Sequence, residues 1–513
     1  MSLSQLSSNC TAEAIPYPTI FGAEFTSVQT SLVQNYSRFV PQYYNFNHGD
    51  IQARNMTFCN VTLTHTHPGQ GDTVTTQVWL PIQPKWNGRL QAVGGGGWIA
   101  GLHSFTSISM SGAVAEGYAA VTMDGGVPSE YPSDWALLSP GNVDLFALQN
   151  FASVALKDAA LAAKSVINSL YGRAPSFSYW SGCSQGGRQG LMLAQRYPDL
   201  FDGIAAAAPA TNWPELFVAI HFAQQVMNEM HEYPHDCELD ALTAAAIKAC
   251  DGNDGLIDGL ISDPDACHFS PYSLVGTLVN CSSSSTTNSI SKAAAAVADA
   301  AWTGARKEDG SFLWYMPGYE ANLTGPTSTA GTTCSPNGTC TGRPNSLSTD
   351  WIRLFVKKDS EFDVSGMSRQ DFERVFRASV REFESIIGSN SPDLSEFRKA
   401  GGKMITYHGL ADEIIPFRNS RHYYDAVTAL DRNVHDFYRL FESPGLAHCY
   451  GGAGGYPSGT FDALVKWVEE GVVPDKLEAK SVSNRSTVLC PYPKKVVVTE
   501  GSAGYGMHET TCT

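Results

Sequence analysis

Residues Gly182-Cys183-Ser184-Gln185-Gly186 set a serine between two glycines at the G-x-S-x-G spacing. The strand-like run SFSYWSG precedes that serine and the helix-like run QGGRQGLMLAQRYP follows it. A sharp strand-to-helix turn imposes strained backbone angles on the serine. It also brings strand and helix so close that the positions two residues away must be small, hence Gly182 and Gly186. The N-terminus of the following helix aims backbone N–H groups at any oxyanion that develops there. The chemistry implied is nucleophilic attack on a carbonyl, which needs a base and an acid to orient it. A glycine-rich turn alone arises by chance; the two flanking elements favour the nucleophile.

In the α/β-hydrolase fold the chain order is Ser, then Asp or Glu, then His. Downstream, TYHGLADEIIP offers Asp412 in the loop after a strand, with Glu413 as the alternative acid. Further on, ESPGLAHCYGG offers His448 in a glycine-rich loop after the next strand. His408, at a strand end, and His435, at a strand start, compete as bases and read as structural. The early stretch AVGGGGWIAG (Ala92–Gly101) follows a strand and carries four consecutive glycines. Backbone without side chains approaches a substrate carbonyl closely, so Gly95 or Gly96 is expected to share an oxyanion hole with the N–H of Gln185. Which glycine does so stays open.

Cys183 directly precedes Ser184, and Cys449 directly follows His448. A working Ser–His pair is in hydrogen-bond contact, so its chain neighbours lie close. Bridged Cα atoms sit about 4.4–6.8 Å apart, which is compatible. A Cys183–Cys449 disulfide is therefore expected, tying nucleophile loop to base loop. It closes a very long loop, worth on the order of 5 kcal/mol in the chain-entropy model. Its expected role is positioning, since small misplacements cost rate.

Around these residues, the first 210 or so positions alternate strand and helix. Thr73–Ile82, Gly88–Val93 and Tyr118–Asp124 read as strands, and Asn150–Gly172 as a helix ending on glycine. From about Asn212 to Leu394 the chain turns loop-rich, with the tract NCSSSSTTNS. Alternation resumes at Lys403–Gly409 and His435–Phe441, then the helix Thr460–Gly471. The expectation is an α/β-hydrolase domain of residues 1–211 and 395–513, interrupted by a large inserted domain, 212–394.

A net charge of −16 over 513 residues argues against nucleic acid, whose phosphates need a basic surface. Twelve cysteines without a CxxC pair favour disulfides over zinc. Eight Asn-x-Ser/Thr sequons, at Asn9, Asn35, Asn55, Asn60, Asn280, Asn322, Asn337 and Asn484, suggest a glycosylated secreted protein. The N-terminus MSLSQLSSNC has no signal-peptide pattern, so the secreted reading takes the signal as absent from this sequence. No run of about 18 apolar residues suggests a membrane span. Oligomeric state stays open.

The pairing of Cys-Ser with His-Cys around an Asp resembles the tannase and feruloyl esterase family, carried by GCSQGGRQGL, HGLADEIIP and AHCYGG. The resemblance implies an α/β-hydrolase with a lid domain and a Ser184, Asp412, His448 triad. It also bears on CDGNDGLIDGLISDPDAC (Cys250–Cys267), which packs five aspartates between two cysteines. Oxygen ligands at that density suit Ca2+, although Leu256 and Ser262 depart from the EF-hand pattern. A solvated acidic loop is the plainer alternative. By the resemblance, structural Ca2+ is held by the side chains of Asp251, Asp254 and Asp258 and the carbonyls of Leu256 and Leu260. Cys250–Cys267 would staple that loop. Proximity suggests Cys10–Cys59, Cys334–Cys340 and Cys490–Cys512, leaving Cys237–Cys281. The expected activity is hydrolysis of hydroxycinnamate (feruloyl) esters of plant cell-wall polysaccharides. The alternatives are galloyl ester hydrolysis and a non-catalytic binding protein on the same fold. The aromatic stretch Ser311–Leu323, with Leu313-Trp314-Tyr315-Met316, is a candidate wall for a phenolic ring.

Overall fold

The computed structural model describes residues 2–281, 286–335, 338–500 and 508–513. The sequon Asn337 and the middle of the serine tract lie outside the described residues. Nine strands form the main sheet: β1 Glu24–Val40, β2 Ile51–Thr66, β3 Val74–Gln83, β4 Arg89–Val93, β5 Ala119–Met123, β6 Phe177–Cys183, β7 Gly203–Ala207, β8 Lys403–Gly409 and β9 Tyr438–Ser443. Their spatial order is β1-β2-β3-β5-β4-β6-β7-β8-β9. The pairs β1/β2, β2/β3 and β3/β5 are antiparallel, and every pair from β5/β4 to β8/β9 is parallel. Parallel strands carry helices on both faces, so both faces of the central strands are covered; every residue of β5 and β7 is buried.

Helix α1 (Ser104–Ala115) carries the chain from β4 outward to β5, and α2 (Ala155–Tyr171) carries it back to β6. The direction of winding therefore reverses at β4. Ligands of open α/β sheets bind off the strand C-termini at such a point. The glycine run leaves the end of β4, and Ser184 sits between β6 and α3 (Gln185–Arg196). This strand order and elbow are those of the α/β-hydrolase fold.

Helix α2 is entered through a π-turn, Asn150–Val154, and stops at Gly172, whose φ of +73° no branched residue adopts easily. The long ribbon β1/β2, 17 and 16 residues, was not expected from the sequence. Its register shifts near Asn35 and Asn55, both at positive φ. These bulges break the period-2 pattern that would have revealed it.

Between β7 and β8 no described residue joins the main sheet. This insertion contains α4 (Trp213–Ala219), α5 (Phe222–Met230), α6 (Asp236–Cys250), α7 (Lys292–Thr303) and α8 (Arg369–Ile387), with several two-stranded hairpins. One continuous core joins it to the sheet layer. Trp98, beside the glycine run, packs its ring 5.3 Å from those of Trp213 and Phe355. After β8 come α9 (Phe417–Leu430) and α10 (Thr460–Glu470). All six disulfides pair as the sequence suggested, and no described cysteine is free.

Candidate active site

Ser184 has φ +61° and ψ −120°, a conformation that costs an L-residue about 1–3 kcal/mol. Its surroundings hold it there. Its N–H donates to Ala207 O at 3.1 Å, and its carbonyl accepts from Arg188 N at 2.9 Å and Ala210 N at 3.1 Å. A Cβ on Gly182 would lie 2.6 Å from Gly186 C, and one on Gly186 would lie 2.9 Å from Gly95 O. The glycines are thus required by close approach of strand, helix and glycine run. Ser184 itself stays half-buried and reachable.

The facing loop follows β9. His448 Nδ1 lies 2.8 Å from Asp412 Oδ2. A carboxylate only accepts, so the Nδ1 proton points at Asp412 and Nε2 is left for other partners. Asp412 Oδ1 accepts from the N–H of Ile414 at 2.9 Å and of Ile415 at 2.8 Å. Burial raises the Asp412 pKa, but His448 and His408 beside it outweigh that and hold it well below the usual carboxylate range. Burial lowers the His448 pKa, but Asp412, with Glu413 adding, raises it above the ordinary imidazole value.

Cys449 has φ +62°, in a γ-turn closed by Tyr450 N donating to His448 O at 2.7 Å. Two restraints hold this strained turn. Tyr407 Oη donates to Cys449 O at 2.9 Å, and the disulfide joins Cys449 to Cys183 across a Cα separation of 6.0 Å. The disulfide ties the residue before Ser184 to the residue after His448. Among the described residues, neither Ser184 Oγ nor His448 Nε2 has a hydrogen-bond partner within 3.5 Å. Nucleophile–base bonds commonly tighten only when substrate binds.

Glu413, the alternative acid, does not reach the imidazole; its carboxylate accepts the backbone N–H of His448 at 3.1 Å. His408 is buried behind Asp412, with Nε2 3.2 Å from Asp412 Oδ2 and Nδ1 2.8 Å from Ser420 Oγ. It is structural, as read, and it is also part of what holds Asp412. His435 bonds Tyr424 Oη, apart from these groups, and lies in a turn before β9 rather than in the strand.

The oxyanion expectation needs correction. Gly95 N donates to Gln189 Oε1 and Gly96 N to Ile99 O, each at 3.0 Å, so both N–H groups are engaged inside the protein. The physical reason is a tight two-residue turn in which Gly96 and Ile99 exchange hydrogen bonds. Among the described residues, the N–H groups of Gly97, at the turn, and of Gln185, at the start of α3, have no partner.

Sequence reasoning missed two residues. Arg188, fully buried with no carboxylate partner among the described residues, donates to Gln185 Oε1 at 2.6 Å and to Ala152 O and Ser389 Oγ at 3.1 Å. Burial pulls its pKa down to about 9. It fixes the side chain of the residue whose N–H is free at the elbow. An arginine amid the small residues of QGGRQG was the available signal. Glu320 accepts from Ile261 N at 2.7 Å and Gly445 N at 3.0 Å, stapling the acidic loop to the loop of His448. Nothing in its sequence context signalled this.

The acidic loop folds through successive aspartate turns. Asp251 Oδ1 accepts from Asp258 N and Gly259 N, and Asp254 Oδ1 accepts from Leu256 N. Asp258 pairs with Arg485 at 3.1 Å. The side chain of Leu260 packs against Gly445. Elsewhere in the insertion a cavity of about 340 Å³ is lined by Trp302, Phe312, Tyr315, Met316, Tyr319 and Arg418, among others. Its wall includes neither Ser184, Asp412 nor His448. Trp314 turns away and donates to Asn419 Oδ1. The aromatic stretch therefore lines a space outside the Ser–His site.

The profile of the family described as "Tannase and feruloyl esterase" matches residues 59–509. The chain belongs to this family. It is a carboxylic ester hydrolase. It is 40% identical over 448 residues to a protein of Arthroderma benhamiae named "Probable feruloyl esterase", covering 85% of this chain and 82% of that one. Among solved structures, tannin acyl hydrolase from Aspergillus niger is similar at a TM-score of 0.86 and 27% identity, over 100% of this chain and 94% of that one. Feruloyl esterase B from Aspergillus oryzae is similar at 0.78 and 26%, over 96% and 97%.

Proposed function

We propose that this member of the family is a secreted serine esterase that cleaves esters of hydroxycinnamic acids, such as feruloyl groups on plant cell-wall polysaccharides. The observation that carries the mechanism is the Asp412–His448 hydrogen bond set beside the strained Ser184 by the Cys183–Cys449 bridge. Ser184 Oγ attacks the ester carbonyl and passes its proton to His448 Nε2. Asp412 keeps the Nδ1 proton in place and stabilises the imidazolium. The tetrahedral oxyanion takes a hydrogen bond from Gln185 N–H and one from the turn at Gly97. His448 then protonates the departing alkoxide. Water, activated by the same imidazole, releases the acid from the acyl-enzyme. The insertion acts as the lid; supporting this, its Leu347 lies against Gly97. Disulfides and the exposure of Asn35, Asn55, Asn280, Asn322 and Asn484 support secretion and glycosylation. No helix among the described residues is long and apolar enough to cross a membrane.

The loop Cys250–Cys267 is proposed to hold a structural Ca2+ through Asp251, Asp254 and Asp258 with the carbonyls of Leu256 and Leu260. The all-oxygen donor set fits a hard cation, and among the described residues the aspartate turns leave Oδ2 of Asp251 and Asp254 without a hydrogen bond. The three carboxylates are not gathered within 4.8 Å of one another, as like charges would not be until a cation draws them in.

The choice of acid rests on the 40% identity to the Arthroderma protein. The rival, galloyl esters, rests on the likeness to tannin acyl hydrolase. A site built for three ring hydroxyls rejects acids lacking them, because its own polar groups stay unpaired. Initial rates on methyl ferulate, p-coumarate, caffeate, sinapate and gallate decide. Higher kcat/KM on the hydroxycinnamates is expected; a tenfold preference for methyl gallate over all of them overturns the reading. Fluorophosphonate labelling of Ser184 separates an esterase from a non-catalytic binding protein.

A further inference from the structure

We propose that His65, His67 and Asp158 form a binding site for a divalent transition-metal ion, Zn2+ by its donor chemistry, that fastens β2 to α2. His65 lies near the end of β2, and His67, two positions on, is the first residue after that strand. Asp158 projects from the first turn of α2. All three are buried, and one ligand atom from each lies within 4.8 Å of the others. Two imidazoles and a carboxylate suit zinc far better than calcium or magnesium.

The decisive observation is His65. It is fully buried, and neither ring nitrogen has a hydrogen-bond partner among the described residues. Buried polar groups are nearly always satisfied, and an orphan in this setting calls for an ion or a water. A purely structural reading explains the other groups. His67 Nδ1 lies 2.5 Å from Asp72 Oδ2 and Nε2 lies 2.9 Å from Asp158 Oδ2, so a protonated His67 would bridge the two carboxylates. Lys157 Nζ, 3.2 Å from Asp158 Oδ1, would balance the remaining charge. That reading leaves His65 unexplained.

The same contacts are also those of a prepared metal site. Asp72 is itself fixed by the N–H of His67 at 2.7 Å, by Thr66 Oγ1 at 3.1 Å and by Asn150 Nδ2 at 2.7 Å. It holds the proton of His67 on Nδ1 and so presents Nε2 inward, as outer carboxylates do behind zinc-bound histidines. Binding exchanges one proton for the ion. The proton between His67 Nε2 and Asp158 Oδ2 leaves to solvent, and both atoms become ligands together with a nitrogen of His65. The other histidine cluster, His235 with Cys334 and Cys340, offers no such site because its cysteines are disulfide-bonded.

The test uses the full chain, equilibrated with zinc chloride, freed of excess by dialysis, and analysed for zinc and calcium together. About one Zn2+ per chain is expected in the wild type and in Asp254→Asn, with less than about a fifth of that in His65→Phe and Asp158→Asn. Cobalt in place of zinc is expected to give the intense visible band of a four-coordinate site, lost in His65→Phe. Wild type that keeps less than a fifth of an equivalent of zinc and shows no cobalt band overturns the proposal, as does His65→Phe that keeps as much as wild type. Should both variants fail to fold by circular dichroism, X-ray absorption on the zinc-loaded wild type decides. Two imidazole ligands are expected, and none or one overturns the site.

Discussion

His448 and His67 each turn Nδ1 towards an aspartate, at 2.8 Å and 2.5 Å respectively, and for both the carboxylate raises the pKa against the opposing effect of burial. They differ in what happens to Nε2. In His67 it meets a second carboxylate, Asp158, and is closed within the protein. In His448 it has no partner among the described residues, and it sits on a loop tied by disulfide to a strained serine. An aspartate behind an imidazole is therefore not in itself a sign of catalysis. A free Nε2 facing a reachable nucleophile makes a base, whereas a closed one makes a structural link or a metal ligand.

The most severe test of this contrast is Ser184→Ala. Loss of kcat by at least about 10⁴-fold is expected, with the melting temperature unchanged. Activity within tenfold of wild type removes the serine mechanism and with it one side of the comparison.

Next in size are the two aspartates exchanged in parallel. Asp412→Asn is expected to lower kcat by about 10³- to 10⁴-fold. Asp72→Asn is expected to leave kcat/KM within about threefold while lowering the melting temperature. Equal kinetic losses in the two variants break the distinction. The pH profile sharpens it. His448 must be neutral to accept the Ser184 proton, and its pKa lies above the ordinary imidazole value, chiefly because Asp412 outweighs burial. The acidic limb of kcat/KM should therefore lie above about pH 6.5 and move to lower pH in Asp412→Asn.

A smaller effect is expected from replacing Cys183 and Cys449 together by serine. A fall in kcat of about 10- to 100-fold, larger than any rise in KM, follows if the bridge positions the reacting groups. An unchanged kcat with a lowered melting temperature would make the bridge a staple only. The smallest change in rate is expected on the acidic loop. Asp254→Asn should lower the melting temperature by a few degrees and abolish its dependence on added calcium, with kcat changed by less than about threefold. Wild-type melting that ignores calcium refutes the proposed ion.

Much of the site was legible because its signals are local. The elbow is written within five residues, and the candidate acid and base, Asp412 and His448, each follow a short run that reads as a strand. Adjacency supplied the rest: Cys183 beside Ser184 and Cys449 beside His448 make sense together only if the two loops meet, and they do. The parallel core was legible because strands buried on both faces cannot hide their composition. The ribbon β1/β2 was not, because its bulges at Asn35 and Asn55 interrupt the alternation and much of β1 faces solvent.

By itself, the sequence supplied the G-x-S-x-G elbow, the order in which Ser184, Asp412 and His448 stand along the chain, and the expectation of the Cys183–Cys449 bridge. Tertiary structure alone decided between Asp412 and Glu413, engaged the N–H groups of Gly95 and Gly96 elsewhere, and set His408 behind the acid. It alone stapled Gly445 to Ile261 through Glu320, and brought Asp158 on α2 to His65 and His67 at the end of β2. The physical reason is range. Spacing along the chain encodes which face a side chain takes and where a turn must fall. A hydrogen bond between residues a hundred positions apart depends on how whole layers pack, which no local pattern records.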